Sequence, residues 1–364
     1  MENKILFAML FLSCLLLSNA VNASEIKSDP ITTTEKTEVI KSLGTQLNAN
    51  YVFPDVAKDV ANKLLKKNSE NGYAKVNTKE EFAKLLSSDL REIGKDLHFR
   101  VDVRPDFHQS GSDSEVPTKE EVDKMRKEIA SWGFGIARVE RLSGNVGYID
   151  LRSFPPTEYV ARAYDSALSL LSGTEALIID LRQNGGGSPD SVAYFMSHFF
   201  GEGDERHLND LYYRPENKTR EYWTNPAVGE RYTKPVYVLV SSLTFSAAEE
   251  CSYNFQTQKR ATLVGETTGG GANPGGAFSL GSDLVAFIST GKAINPITHT
   301  NWEHVGVKPD INVPASQALF SSYAAILESL IHRTTDPADK QELEDALAFA
   351  KKGEVEQPSY EKRF

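Results

Sequence analysis

Two nearly continuous apolar runs, "ALIIDL" at 176–181 and "PVYVLVS" at 235–241, constrain what this chain can fold into more than any other feature. A strand that alternates apolar and polar residues can leave one face in water. A strand without that alternation has to be buried on both faces. The stretches "FGIARVERL", "GNVGYIDLRSF", "ATLVGE" and "LVAFIST" also read as strands, and helical stretches at about 157–172, 188–200 and 246–258 separate several of them. Continuous apolar strands alternating with helices predict an α/β fold whose sheet is largely parallel and covered on both sides.

The flanks are helical. Val39, Ile40, Leu43 and Leu47 share one face, as do Val56, Val60 and Leu64. "TKEEFAKLLSSDL" opens with Thr78 and Glu81 at capping-box spacing. These patterns predict a helical N-terminal domain over 24–104. The Gly-, Ser- and Pro-containing stretch "RPDFHQSGSDSEVPTKEE" marks a segment of linker and helix over 105–133, with the helix at about 118–131. The α/β core is expected over 134–315. A C-terminal helical extension follows over 316–364, through "YAAILESLIH" and "KQELEDALAFAKK".

The first residues carry a processing signal. Lys4 precedes the apolar run "ILFAMLFLSCLLL", and "VNA" at 21–23 offers small residues for cleavage, which predicts a signal peptide over 1–23 and an exported chain, periplasmic or secreted. That run is too short for a comfortable membrane span, and no later segment approaches the roughly 18 apolar residues a span needs. No transmembrane segment is therefore expected after signal removal. Cys14 as a lipid anchor fits poorly, because Phe11 suits that pattern badly. Cleavage after Ala23 removes Glu2 and Lys4, one charge of each sign, so the formal net charge stays at −10. Phosphate backbones need clustered Lys and Arg, so this balance argues against nucleic acid as a partner. Cys251 is then the one remaining cysteine, without an internal disulfide partner, and its apolar helical context marks it as a packing residue.

Two corners could carry chemistry. In "LIIDLRQNGGGSPDS" an apolar strand runs into three glycines, after which Ser188 and Pro189 supply an N-cap and a first helical position. Such glycines leave backbone amides bare at the positive end of a helix, which suits an anion or a developing oxyanion. The plain alternative is a tight turn that needs positive φ. In "SSLTFSAAEE", Ser246-Ala-Ala-Glu249 satisfies the capping box, and that structural reading is strong by itself. Yet a serine at the carboxyl edge of a parallel sheet stands where such sheets bind ligands, and Ala247 and Ala248 would leave its hydroxyl uncovered. A lipase-type G-x-S-x-G elbow is missing. A serine needs a base. Of the seven histidines, His98 in "KDLHFRV" sits between apolar neighbours at the head of an expected strand, which would orient it firmly. Glu303 lies in "NWEHVGVKPDI", a polar, turn-rich loop before a valine-containing strand. A metal site is not expected: H-E-x-x-H is absent, and His299 and His304 have no matching carboxylate cluster.

Taken together, "DLHFRV", "LIIDLRQNGGG", "VLVSSLTFSAAEE", "ATLVGETTGGGANPGG" and "NWEHVGVKPDI" resemble, in this order, the motifs of the S41 serine peptidases, the C-terminal processing peptidase family. They are most similar to its branch with the tricorn core and the interphotoreceptor retinoid-binding protein. One branch of that family pairs its serine with a lysine in "GETTFGKG". Here "GETTGGGA" puts Gly271 at the lysine position, which excludes a Ser–Lys dyad on this alignment. The resemblance then implies Ser246 as nucleophile, His98 as base and Glu303 as third member, with Leu97 standing where the tricorn core has a serine. It implies an oxyanion hole from the amide of Ala247 and that of Gly186 or Gly187. It further implies a crotonase/ClpP-like β-β-α core, a peptide or protein substrate, no cofactor, and room for a homo-oligomer. The alternative from the same branch is a non-catalytic retinoid-, lipid- or peptide-binding protein.

Overall fold

The structure is a computed structural model that describes residues 29–107 and 118–355. The predicted signal peptide lies outside the described residues, as does the 108–117 part of the expected linker. Three helices come first: α1 (Thr33–Asn50), α2 (Pro54–Ser69) and α3 (Lys79–Gly94). Strand β1 (Arg100–Val103), helix α4 (Lys119–Ser131), strands β2 (Ile136–Leu142) and β3 (Val146–Leu151), and helix α5 (Thr157–Leu171) follow. Next are β4 (Ala176–Asp180), α6 (Pro189–Ser197), β5 (His207–Tyr213), β6 (Lys218–Trp223) and β7 (Val236–Val240). The remainder is α7 (Ala247–Thr257), β8 (Thr262–Gly265), β9 (Gly275–Gly281), β10 (Leu284–Ser289), β11 (Gly291–Ile294), β12 (Ile311–Asn312), α8 (Ala315–Arg333) and α9 (Pro337–Lys351). Every predicted helix is present. Strands β5, β6, β9 and β11 were not anticipated, and the strand expected after "NWEHVGVKPDI" is only the two-residue β12.

Contacts divide the chain into two compact units that interleave in sequence: one of residues 1–121, 209–221 and 270–304, the other of 122–208, 222–269 and 305–364. In the first, α1–α3 share a core with the antiparallel sheet β1-β10-β9. The apolar stripes read from the sequence are the buried faces: Leu43, Leu47, Val60, Leu64, Phe82 and Leu86 are all fully buried among them. Thr32 caps α1 with a reciprocal box, its hydroxyl accepting from the Glu35 amide while Glu35 Oε2 accepts from the Thr32 amide at 2.7 Å. At α3 only half of the expected box forms. The Thr78 hydroxyl accepts from the Glu81 amide, but Glu81 reaches one residue further back, to the amide of Asn77.

The second unit holds a six-stranded sheet of order β12-β8-β7-β4-β3-β2, parallel throughout except for β2. Its strands lie side by side in the order in which they occur in the chain. Crossovers of one hand then put all connecting helices on one face, so the other face needs a separate cover. The C-terminal helices supply it: Tyr323 and Leu327 of α8 and Leu343 of α9 share a core with Tyr148, Ile178, Leu239 and Val264. Leu177, Ile179, Val238 and Leu263 alternate onto the opposite face and are equally buried, beside α7. This is why "LIIDL" and "VYVLV" carry no polar alternation.

Candidate active site

In the second unit, β4 and β7 are paired neighbours, Asp180 opposite Leu239, so their carboxyl ends deliver two loops to the same edge. The order of strands does not reverse there. From β4 the chain enters "RQNGGG". Fully buried Asn184 fastens this loop three ways: its Nδ2 donates to the Leu151 carbonyl at 2.9 Å, its Oδ1 accepts from Gly186 N–H at 2.9 Å, and its carbonyl accepts from Phe245 N–H at 3.0 Å. The loop after β7 is fastened to β4 as well, through the Thr244 hydroxyl to the Leu181 carbonyl at 2.8 Å and the Ser241 hydroxyl to the Arg182 carbonyl at 2.6 Å.

These ties bring Ser246, Ala247, Gly186 and Gly187 together. A Cβ built on Gly186 would lie 2.8 Å from Ser246 Cβ and 3.1 Å from the Ala247 nitrogen. Gly187, at φ 143°, is laid against Phe154 so closely that a Cβ would stand 2.1 Å from its carbonyl oxygen. The Gly186 amide is spent on Asn184. The flanking bonds of the parallel bridge, Phe154 N–H to the Gly186 carbonyl and Ser188 N–H to the Phe154 carbonyl, leave the Gly187 amide outside the ladder. Ala247 is the first residue of α7, and a first helical amide has no partner within its helix. Among the described residues no acceptor takes the amide of Gly187 or of Ala247.

Ser246 itself is half-buried and has φ 56°, ψ −122°. An N-cap sits in the extended region, as Thr32 (φ −82°, ψ 162°), Thr78 (φ −123°, ψ 156°) and Asp336 (φ −72°, ψ 126°) do here. A non-glycine residue in the strained region of Ser246 costs on the order of 1–3 kcal/mol and persists only where its surroundings impose it. What imposes it is Glu249, buried completely: its Oε2 accepts from the Ser246 amide at 2.9 Å and its Oε1 from the Thr268 hydroxyl. Thr268 Oγ1 in turn accepts from Val307 N–H at 2.7 Å. Cys251, one turn along α7, is fully buried, and that burial pushes its thiol well above the usual range, as befits a packing residue.

His98 and Glu303 belong to the first unit. His98 is buried in the turn between α3 and β1, its ring stacked on Phe287 at 5.9 Å between centroids. Asp96, fully buried, accepts from the His98 amide at 2.9 Å, and one of its oxygens lies 3.7 Å from His98 Nδ1. Burial pulls the Asp96 carboxyl upward, but the His98 ring beside it, with the nearby Ser289 hydroxyl and the hydrogen bond from the His98 amide, holds it below the usual carboxylate range. Burial, and then Asp96 beside it, push the Tyr51 phenol far up. Glu303 has a nearly buried side chain, and its Oε2 accepts from the Ala272 amide. Trp302 Nε1 donates to the Gly271 carbonyl at 2.8 Å and His304 N–H to the Gly270 carbonyl at 2.9 Å, so residues 302–304 are laid along the glycine run. Gly271, at the family's lysine position, contributes a carbonyl. Asn184 and Asp96 escaped the sequence reading, although both lie inside motifs it singled out, and Glu249 was read there only as half of a capping box.

Residues 145–313 match the description "Peptidase family S41", and residues 31–134 match "N-terminal domain of Peptidase_S41 in eukaryotic IRBP". The chain belongs to peptidase family S41. It is 31% identical over 198 residues to the carboxyl-terminal-processing protease of Synechocystis, covering 54% of this chain and 42% of that protein. It is 28% identical over 182 residues to carboxyl-terminal-processing peptidase 2 of Arabidopsis chloroplasts, covering 48% of this chain and 33% of that protein. The match thus spans less than half the length of these relatives. Among solved structures, a peptidase from Parabacteroides merdae superposes with a TM-score of 0.52 at 19% identity, over 78% of this chain and 90% of that one. Mature CPAF bound to lactacystin gives 0.53 at 13% identity, over 86% and 99%. These likenesses establish the S41 fold for the chain.

Proposed function

We propose that the protein is a serine peptidase that hydrolyses peptide bonds through an acyl-enzyme, with Ser246 as nucleophile. The observation that carries this reading is the backbone of Ser246: a capping residue has no need of φ 56°, ψ −122°, whereas a nucleophile held out at a strand-to-helix corner does. The amides of Ala247 and Gly187, both outside the secondary-structure ladder, support an oxyanion hole. One such donor is worth on the order of 3 kcal/mol in the transition state.

In this mechanism His98 takes the proton from Ser246 Oγ as the new Oγ–C bond forms, and the carbonyl π pair moves onto oxygen. Collapse of that oxyanion breaks the C–N bond, and His98 returns the proton to the leaving amine. Water, deprotonated by the same ring, then adds to the acyl carbon; the Oγ–C bond breaks, the acid leaves, and His98 returns the proton to Ser246 Oγ. Glu303, fixed by Ala272, serves as the third polar group of the site. Export follows the sequence signal at residues 1–23. Among the described residues, no helix is long and apolar enough to cross a membrane. Cell fractionation followed by N-terminal sequencing should find a chain beginning at Ser24.

The second reading, a carrier on the same fold, is favoured by the match of residues 31–134 to a domain described from eukaryotic IRBP. The two separate cleanly. Purified protein and its Ser246→Ala and His98→Ala variants are treated with a fluorophosphonate, and adducts are located by mass spectrometry. Labelling at Ser246 that is lost in both variants supports the peptidase. A folded wild type that takes no label and cleaves no peptide, yet binds retinol or a peptide with Ser246→Ala unaffected, is a carrier.

A further inference from the structure

In a serine–histidine mechanism the base needs a group that fixes its tautomer, and the usual site for that group is Nδ1. Within the Asp96-Leu97-His98 turn, Leu97 is 44% exposed while the residues on either side of it are buried, so the two functional side chains point inward together. The Asp96 carboxylate is fastened from several directions. It accepts from the His98 amide and, through Oδ2, from Asn273 Nδ2 at 3.3 Å; the Tyr51 phenol and the Ser289 hydroxyl face it as well. A fully buried carboxylate with this many donors cannot swing away, and His98 Nδ1 lies 3.7 Å from it. That separation is longer than a hydrogen bond. A small rotation of the ring would close it, as catalytic contacts commonly tighten once substrate is bound.

We propose that Asp96 is the positioning carboxylate of His98, holding Nδ1–H so that Nε2 is the basic nitrogen. The proposal deepens the peptidase reading and rests on it, and it gives the Leu97 position a meaning. With leucine where the tricorn core has serine, orientation of the ring comes from the residue before it. Other charged groups near the pair are Arg100, whose guanidinium lies over the Phe287 ring on which His98 stacks, and Glu303, whose charge reaches Tyr51.

The first test leaves the protein unaltered: ring-nitrogen chemical shifts of His98 are read by NMR above its titration. Protonation at Nδ1 is expected, and an Nε2–H tautomer overturns the proposal. The second test is Asp96→Asn, assayed for peptide hydrolysis against pH. Turnover is expected to slow by about two orders of magnitude or more while KM stays within about threefold, and the acidic limb to be displaced downward by about one pH unit, because the imidazolium has lost its counter-charge. Turnover within about threefold of wild type and an unmoved limb overturn the proposal. If Asp96→Asn does not fold, the tautomer decides alone. If wild type neither cleaves peptide nor takes the fluorophosphonate, the peptidase reading fails, and the tautomer still decides whether Asp96 holds the ring.

Discussion

Two helices of this chain begin with the same short grammar. Thr32-Thr-Thr-Glu35 opens α1 and Ser246-Ala-Ala-Glu249 opens α7, and in both the glutamate returns to the amide of the hydroxyl residue, at 2.7 and 2.9 Å. The backbone beneath is different. Thr32 is extended and exposed, on a helix that the rest of its box merely finishes. Ser246 is strained, and its glutamate is sunk completely and tied onward to Thr268 and Val307. One hydrogen-bond pattern thus closes a helix in the first place and pins a strained corner in the second. Burial of the glutamate separates the two uses, since an exposed carboxylate can leave its partner at little cost and a buried one cannot.

The largest expected effect is on the hydroxyls themselves. Ser246→Ala should abolish fluorophosphonate labelling and peptide cleavage while the fold survives, and Thr32→Ala should change neither. Residual labelling of Ser246→Ala at another serine would break the comparison outright. Next comes the glycine laid against Phe154. Gly187→Ala places a methyl group against the Phe154 carbonyl at a φ that side chains rarely adopt, so destabilisation of about 3 kcal/mol and loss of labelling are expected. Gly185→Ala is the control, since a Cβ there meets nothing within 4 Å. Thermal unfolding of the pair, with labelling rates alongside, separates a requirement of the corner from a general intolerance of the loop.

Glu249→Gln tests the buried half of the box more gently. Glutamine keeps an acceptor for the Ser246 amide but puts a donor where Thr268 now donates, so a loss of about 1–3 kcal/mol and roughly a tenfold or greater drop in kcat/KM are expected. Glu35→Gln, at the exposed box, should leave kcat/KM untouched. Equal and small effects at both positions would mean that Glu249 is a cap and no more.

The central sheet was legible because β4 and β7 are buried on both faces and so write themselves as nearly continuous apolar runs. Strands such as "HLNDLYY", "KTREYW" and "GGAFSLG" mix polar residues and glycines into short segments, and their pairing partners lie far away in sequence, so no local period announces them. The candidate nucleophile was legible as a position, and its distinction from a cap was not, because the capping box is written in residue types and the strain in φ and ψ. Asp96 was hidden for a related reason. A carboxylate two residues before a histidine reads as a solvated turn until the fold buries it against Tyr51 and Asn273.

The smallest prediction concerns the plain cap. Thr32→Ala removes the acceptor for the Glu35 amide at the start of α1, which in comparable helices costs about 1 kcal/mol. The stripe of Val39, Ile40, Leu43 and Leu47 that anchors α1 stays buried, so the helix should persist with a slightly lower unfolding midpoint in denaturant and an unchanged slope. A changed slope would mean that the first turn of α1 organises more of its unit than a cap does. A loss of labelling at Ser246 would be the sharper surprise, since it would make the exposed box part of the machinery from which its strained counterpart is here distinguished.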